Sequence, residues 1–203
     1  RPYVTLTYAQ SLDGKIAGRG GQQLRLSGDA SMAMTHRMRT LHDGILVGVG
    51  TVIHDDPRLA ARHLPAHELA TPGAIQQPQP IILDTRLRIP LTARLLDPAR
   101  HAAGDCLPPW IVVGADDGLV DPLKRQQVEE RGGRVIPVPT NRHGRLNLTA
   151  VMDRLGSLGI RRVMIEGGSQ VVRSLLLSHT IAQPLVDLLV VTVAPVLVGE
   201  QGV

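Results

Sequence analysis

Asp55 and Asp56, with Pro57 fixing the backbone behind them and Arg58 and Arg62 just beyond, are the residues whose types and spacing best suit work on an anionic ligand. Carboxylates take up and return protons, and guanidiniums grip phosphate oxygens two at a time. Ahead of them runs Ile45-Leu46-Val47, apolar and partly β-branched, followed by Gly48, Gly50 and Thr51. The run reads as a buried strand, and the glycines as a turn where backbone can approach a ligand closely. A plain glycine turn followed by a solvated Asp-Asp-Pro loop accounts for the same residues, and pattern alone leaves both readings standing.

A second candidate is Glu166-Gly167-Gly168-Ser169-Gln170, where an apolar run gives way to a helical pattern. Two glycines there leave backbone N–H groups free at a helix start, which suits a diphosphate; a purely structural strand-to-helix turn needs the same residues. Glu166 falls at a strand's C-terminal end, where open α/β sheets place ligand contacts. Lys15, in the turn Asp13-Gly14-Lys15, is either a solvated cation or a charge aimed at a sugar or phosphate. Thr85 and Arg86, after Leu83-Asp84, suit the 2′-phosphate of an NADP cofactor, and suit an ordinary turn equally well.

Other chemistries lack support. The eight histidines show no metal-ligand spacing, and one cysteine, Cys106, leaves no Cys-based zinc site, so no metal is expected. No G-x-S-x-G, P-loop or C-x-x-C occurs. A net charge of +4 is modest, and the arginines are scattered rather than gathered in a basic run. With no Phe, one Trp and two Tyr, base stacking is nearly excluded, so nucleic acid is not an expected partner. No apolar run is long enough for a membrane span and no signal-like start is present, so a cytoplasmic protein is expected.

The elements that must hold these residues follow from periodicity. A chain of 203 residues with 43% hydrophobic content can bury a substantial aliphatic core in one domain, 1–203. Strands are expected near 3–11, 45–47, 80–84, 110–113, 135–138 (with Pro137 favouring an edge), 163–166 and 185–194. Helices are expected near 29–41, capped by Ser27 and with Met32, Met34 and Met38 among its apolar positions, and near 120–131, 148–158 and 170–178. Residues 64–79 and 86–109 read as irregular connections. Alternating strands and helices predict an α/β fold, three-layer αβα, with a mostly parallel, mixed sheet.

Taken together, RPYVTLTYAQSLDGKIA, MTHRMRTLHDGILVGVGTVIHDDPRLAAR, PIILDTRLRIP, VMIEGGSQVVRSLL and VTVAPVLVG resemble the riboflavin-biosynthesis reductase family, whose fold is dihydrofolate-reductase-like. The chain is most similar to the stand-alone fungal and archaeal type and lacks the H-x-E…P-C-x-x-C pattern of the zinc deaminase fused to bacterial relatives. The resemblance implies NADPH-dependent reduction of the ribosylamino side chain of 2,5-diamino-6-ribosylamino-4(3H)-pyrimidinone 5′-phosphate to ribitylamino. A deaminated pyrimidine, a pterin or folate, or a non-catalytic nucleotide-binding module are the alternatives. By position it implies Asp55, Lys15 and Glu166 as catalytic residues, with Asp55 handling the proton. Arg39, Leu59, Arg62 and Glu166 would contact substrate. Ala9, Gly48, Gly50, Thr51, Asp55, Thr85, Arg86, Gly167, Gly168, Ser169, Gln170 and Val171 would contact cofactor. Bacterial relatives carry Ser-x-Trp-x-Thr where this chain has Gln23, Arg25 and Ser27, and relatives usually continue past APVLVG into another strand and pair as homodimers. Two readings follow, a fold without that edge strand or a tail removed or left out, and the resemblance implies a homodimer.

Overall fold

A computed structural model describes residues 1–22, 24, 26–69, 75–180 and 184–202. The strands are β1 (Tyr3–Ser11), β2 (Gly44–Gly48), β3 (Gln79–Leu83), β4 (Trp110–Gly114), β5 (Arg134–Val138), β6 (Arg162–Glu166) and β7 (Leu188–Ala194). The helices are α1 (Asp29–Arg39), α2 (Val49–Asp55), α3 (Ala66–Leu69), α4 (Pro98–Ala102), α5 (Pro122–Glu130), α6 (Leu148–Ser157) and α7 (Ser169–Ser178). The strands form one sheet in the order β5-β4-β3-β2-β6-β1-β7. All six pairings are parallel, so the mixed character expected from the sequence does not appear among the described strands.

Side-chain alternation explains why the central strands read as unbroken apolar runs. Ile45 and Val47 join one buried cluster and Leu46 the other; Ile81 and Ile82 divide in the same way, as do Ile111 and Val113 against Val112. A strand covered on both faces must be apolar at every position. One face packs on α6 and α7 through Val151, Met152, Leu155, Val172 and Leu175. The other packs on α2 and α5 through Val49, Val52 and Val128, and on the connecting segments through Leu87, Ile89, Leu95 and Leu96. β5, with Pro137, lies at one edge as expected, and β7 lies at the other.

Four local expectations give way. Gly48 does not open a turn: β2 runs straight into α2, which takes in Gly50 and Thr51. Gly28, without a side-chain cap, precedes α1, and its buried residue is His36 while Met32 and Met34 are exposed. Apolar side chains at helical spacing were a misleading guide because α1 buries its polar face against a loop of charged residues. The connection 64–79 contains α3, and 86–109 contains α4, whose N-cap Asp97 accepts from the Ala99 amide. Gln23 and Arg25 lie outside the described residues. Among the described residues no helix is long and apolar enough to cross a membrane.

The turn after β1 is tied to the segment after β7 by one carboxylate. Asp13 accepts from the Ser11 hydroxyl and from the amides of Val198 (3.1 Å) and Gly199 (2.7 Å). These bonds, the Ser11 hydroxyl first, pull its pKa down to about 2. Because the folded value lies below the unfolded one, the stabilisation is complete above roughly pH 4 and vanishes as pH falls through about 2. Asp13→Asn should therefore flatten the acid limb of an unfolding-versus-pH profile between those values; an acid limb identical to that of the unmodified chain would show that this tie carries no linkage.

Candidate active site

β2 and β6 are parallel neighbours, with Leu46 opposite Ile165, so their C-terminal ends emerge side by side. From here the chain departs in opposite directions, β2 towards β3 and β6 towards the β1–β7 side. This is the switch point at which open parallel sheets leave a crevice for ligand.

Both strands turn into helices there. Gly48 precedes α2 and Gly168 precedes α7, and neither start is capped by a side chain among the described residues. The two starts interlock: a Cβ on Gly48 would stand 2.8 Å from Val171 Cγ2, and one on Gly168 would stand 3.1 Å from Thr51 Oγ1. Gly167 (φ 55) and Gly168 (φ 80) are both left-handed, a conformation glycine adopts at little cost. Free amides at two adjacent helix starts give a cradle for an anion that lies along backbone. Ser169 and Gln170 are exposed beside it, whereas the Val171 side chain is buried in the core and leaves only backbone to offer. On β1, Thr7 pairs with Glu166 and Ala9 continues two residues further, flanking the same rim. The Gly50 Cβ position opens onto empty space.

Charged groups gather beside the cradle. Arg39, in the last turn of α1, donates from Nε (2.7 Å) and Nη2 (2.6 Å) to the two Glu166 carboxylate oxygens, and from Nη1 to the Ala60 carbonyl (2.9 Å). The pair is largely shielded, with side-chain exposures of 12% and 18%. Asp55 ends α2, exposed and without a partner among the described residues. Asp56, left-handed at φ 40, accepts from the Arg94 amide (2.9 Å) and pairs with Arg94 Nε (3.2 Å). Leu59 is also left-handed (φ 52), its side chain buried in the core. Non-glycine residues in that region cost on the order of 1–3 kcal/mol each, and the surrounding contacts must hold them.

Arg62 is pushed below the usual arginine range, first by burial and then by the charges of Arg39, Arg58 and Arg94. Four guanidiniums thus share one neighbourhood. Arg39 and Arg94 face carboxylates, while Arg58 keeps its Nε buried with no acceptor and Arg62 has no carboxylate partner among the described residues. The uncompensated pair favours a doubly charged anion such as a phosphate monoester.

The remaining expected residues lie along the same rim. Thr85 and Arg86 follow β3, next to β2; the Thr85 carbonyl accepts from Gly114 N (3.0 Å), and Arg86 is exposed. Buried Asp84 shapes that turn by accepting from Ile89 N (2.8 Å). Lys15 sits on the opposite flank beyond β1, its stem against Gly202, with no partner for its ammonium among the described residues. Sequence reasoning missed His36, Gln77 and Arg94. The i, i+3 spacing of His36 and Arg39 on α1 was a usable signal for the first; the other two gave none.

A parallel sheet with interlocked, glycine-led helix starts and a cluster of guanidiniums at its switch point is an α/β fold with its candidate ligand site at the strand ends. The chain belongs to the RibD C-terminal domain family, whose model matches residues 2–203. It is 36% identical over 208 residues to the 2,5-diamino-6-ribosylamino-4(3H)-pyrimidinone 5′-phosphate reductase of Debaryomyces hansenii, covering 100% of this chain and 78% of that one. It is 34% identical to the protein of that name from Archaeoglobus fulgidus, covering 98% and 83%. Among solved structures, the riboflavin biosynthesis reductase Rib7 of Saccharomyces cerevisiae matches with a TM-score of 0.73 at 29% identity, covering 100% of this chain and 77% of that one.

Gly48→Ala tests the interlock directly. The new methyl group meets Val171 Cγ2 in a packed layer, so urea unfolding should show a loss of about 1–3 kcal/mol; an unchanged midpoint would mean the two helix starts are free to separate.

Proposed function

We propose that this chain is the NADPH-dependent reductase of riboflavin biosynthesis that converts the ribosylamino side chain of 2,5-diamino-6-ribosylamino-4(3H)-pyrimidinone 5′-phosphate to ribitylamino. Its relatives are named as reductases, and the chain is an oxidoreductase of a family that works with a nicotinamide cofactor. The observation that carries the reading is the convergence of the Gly48–Gly168 cradle, the fixed Glu166 carboxylate and the Arg58–Arg62 anion site on one switch point.

The residues present fit a dinucleotide. Gly48 and Gly168, where a Cβ would meet Val171 and Thr51, let two uncapped helix starts lie almost in contact, and the amides of such starts suit a diphosphate. Thr85 and Arg86, one strand further along, carry the hydroxyl and the guanidinium that a 2′-phosphate needs, which favours NADPH over NADH. When bound, the reduced nicotinamide supplies a hydride to C1′ of the ring-opened imine form of the substrate.

The chain's own groups manage the rest. Opening the glycosylamine moves the N–H proton to the ring oxygen and leaves a C=N bond; the hydride adds to carbon and a proton adds to nitrogen. Asp55, unpaired among the described residues, holds and delivers that proton. Glu166, an acceptor-only group pinned by Arg39, receives N–H bonds from the amino-substituted pyrimidine. Lys15 binds hydroxyls of the opening sugar, and Leu59 offers backbone from its left-handed turn. Arg58 and Arg62 take the 5′-phosphate. Three of the five Arg39 donors are committed to Glu166 and Ala60, so Arg39 orients the Glu166 carboxylate and has two N–H groups left to offer the substrate.

The test is loss of reduced-nicotinamide absorbance with the pyrimidinone phosphate, set against its deaminated form and dihydrofolate; preference for either of the latter would replace the reading. Asp55→Asn should lower kcat by about 100-fold or more while NADPH affinity stays within about threefold. An equal loss of both would make Asp55 a structural residue.

A further inference from the structure

The segment that delivers Arg58 and Arg62 has no regular secondary structure, yet three consecutive residues in it are held by side chains from elsewhere. Arg39 Nη1 donates to the Ala60 carbonyl (2.9 Å). Gln77 brackets Ala61, accepting from its amide at Oε1 (2.8 Å) and donating to its carbonyl from Nε2 (3.0 Å). His36 Nδ1 accepts from the Arg62 amide (3.2 Å). Ala60 and Ala61 are buried, and His36 is 1% exposed, so water does not substitute for these bonds.

We propose that His36, with Arg39 and Gln77, is a positioning residue for the anion site, setting the backbone from which Arg62 reaches the substrate phosphate. The inference rests on the reading of Arg58 and Arg62 as that site. An imidazole that accepts at Nδ1 must be neutral, with its proton on Nε2. Burial, followed by the charges of Arg39, His63 and Arg62, holds its pKa down to about 4, so the acceptor persists at neutral pH. His63 packs edge-on against the same ring, centroids 4.6 Å apart, which limits its rotation. Arg62, one of the two cations of the anion site, thus also helps to keep His36 in the neutral form the loop requires. An acceptor is all this position demands, and the amide oxygen of Asn stands close to where Nδ1 of His does.

The discriminating quantity is the ratio of kcat/KM for the pyrimidinone 5′-phosphate to that for its dephosphorylated form, measured with NADPH on the full chain. Arg62→Ala should cut this ratio by about tenfold or more, and His36→Ala should cut it by about fivefold to tenfold, acting mainly on KM for the phosphorylated substrate. His36→Asn should recover most of the ratio, and NADPH affinity should stay within about threefold throughout. A purely structural histidine would instead lower activity on both substrates equally and leave the ratio alone; that result, or no rescue by Asn, overturns the inference. If Arg62→Ala itself leaves the ratio unchanged, the anion-site reading has failed, and the positioning role falls with it. Should His36→Ala lose its cooperative unfolding transition, Gln77→Ala at the loop's other anchor carries the same expectation, and an unchanged ratio there counts against the proposal.

Discussion

The ion pair between Arg39 and Glu166 is the joint on which this structure's working end turns. It ties the last turn of α1 to the end of β6, and through the Ala60 carbonyl it ties both to the arginine-bearing loop. A two-point pair this well shielded contributes little net stability against an apolar substitute, but removing one partner strands a charge and costs several kcal/mol. Its value is directional. A carboxylate held by both oxygens presents its remaining lone pairs along fixed lines, as selection of an amino-substituted ring requires.

That joint can be placed accurately only because the sheet beneath it is stiff. Seven parallel strands with two aliphatic layers put Leu46, Ile81, Val112 and Ile165 on one side and Ile45, Val47, Ile82 and Val113 on the other, all buried. Without phenylalanine, β-branched and leucine side chains must interdigitate to fill both layers. The glycines at the strand ends belong to the same packing problem. Gly48 and Gly168 let two helices begin almost in contact, so their positive ends reinforce one another.

The loop from Asp56 to Arg62 shows the opposite strategy. It is held in two left-handed, non-glycine conformations at Asp56 and Leu59 and anchored by Arg94, His36, Arg39 and Gln77 rather than by a ladder. Such an arrangement brings four guanidiniums together with only two carboxylates against them. It is stable because the anchors over-determine the backbone, and it leaves Arg58 and Arg62 as cations in search of an anion.

Most strands and the longer helices were legible from period and punctuation, because a strand such as Ile45-Leu46-Val47 or a helix such as α6 follows from neighbours within a few residues. The types and order of the candidate site residues can be read from the sequence, because they depend only on the succession of residues along the chain. Partnership cannot. Nothing local to Gly50 distinguishes a turn from a helix once β2 is buried beneath α2, and nothing in a proline-rich connection marks Gln77 as an anchor for Ala61. Nothing in the sequence marks Arg39 and Glu166 as partners, 127 residues apart in the chain and bonded to one another in space. Sequence by itself determined which groups this protein has and which stretches carry them, because those depend on short-range chemistry. Tertiary structure alone decided which charges are already answered and which remain open, because electrostatic pairing depends on distance through space, and the chain brings residues together in an order its own succession does not reveal.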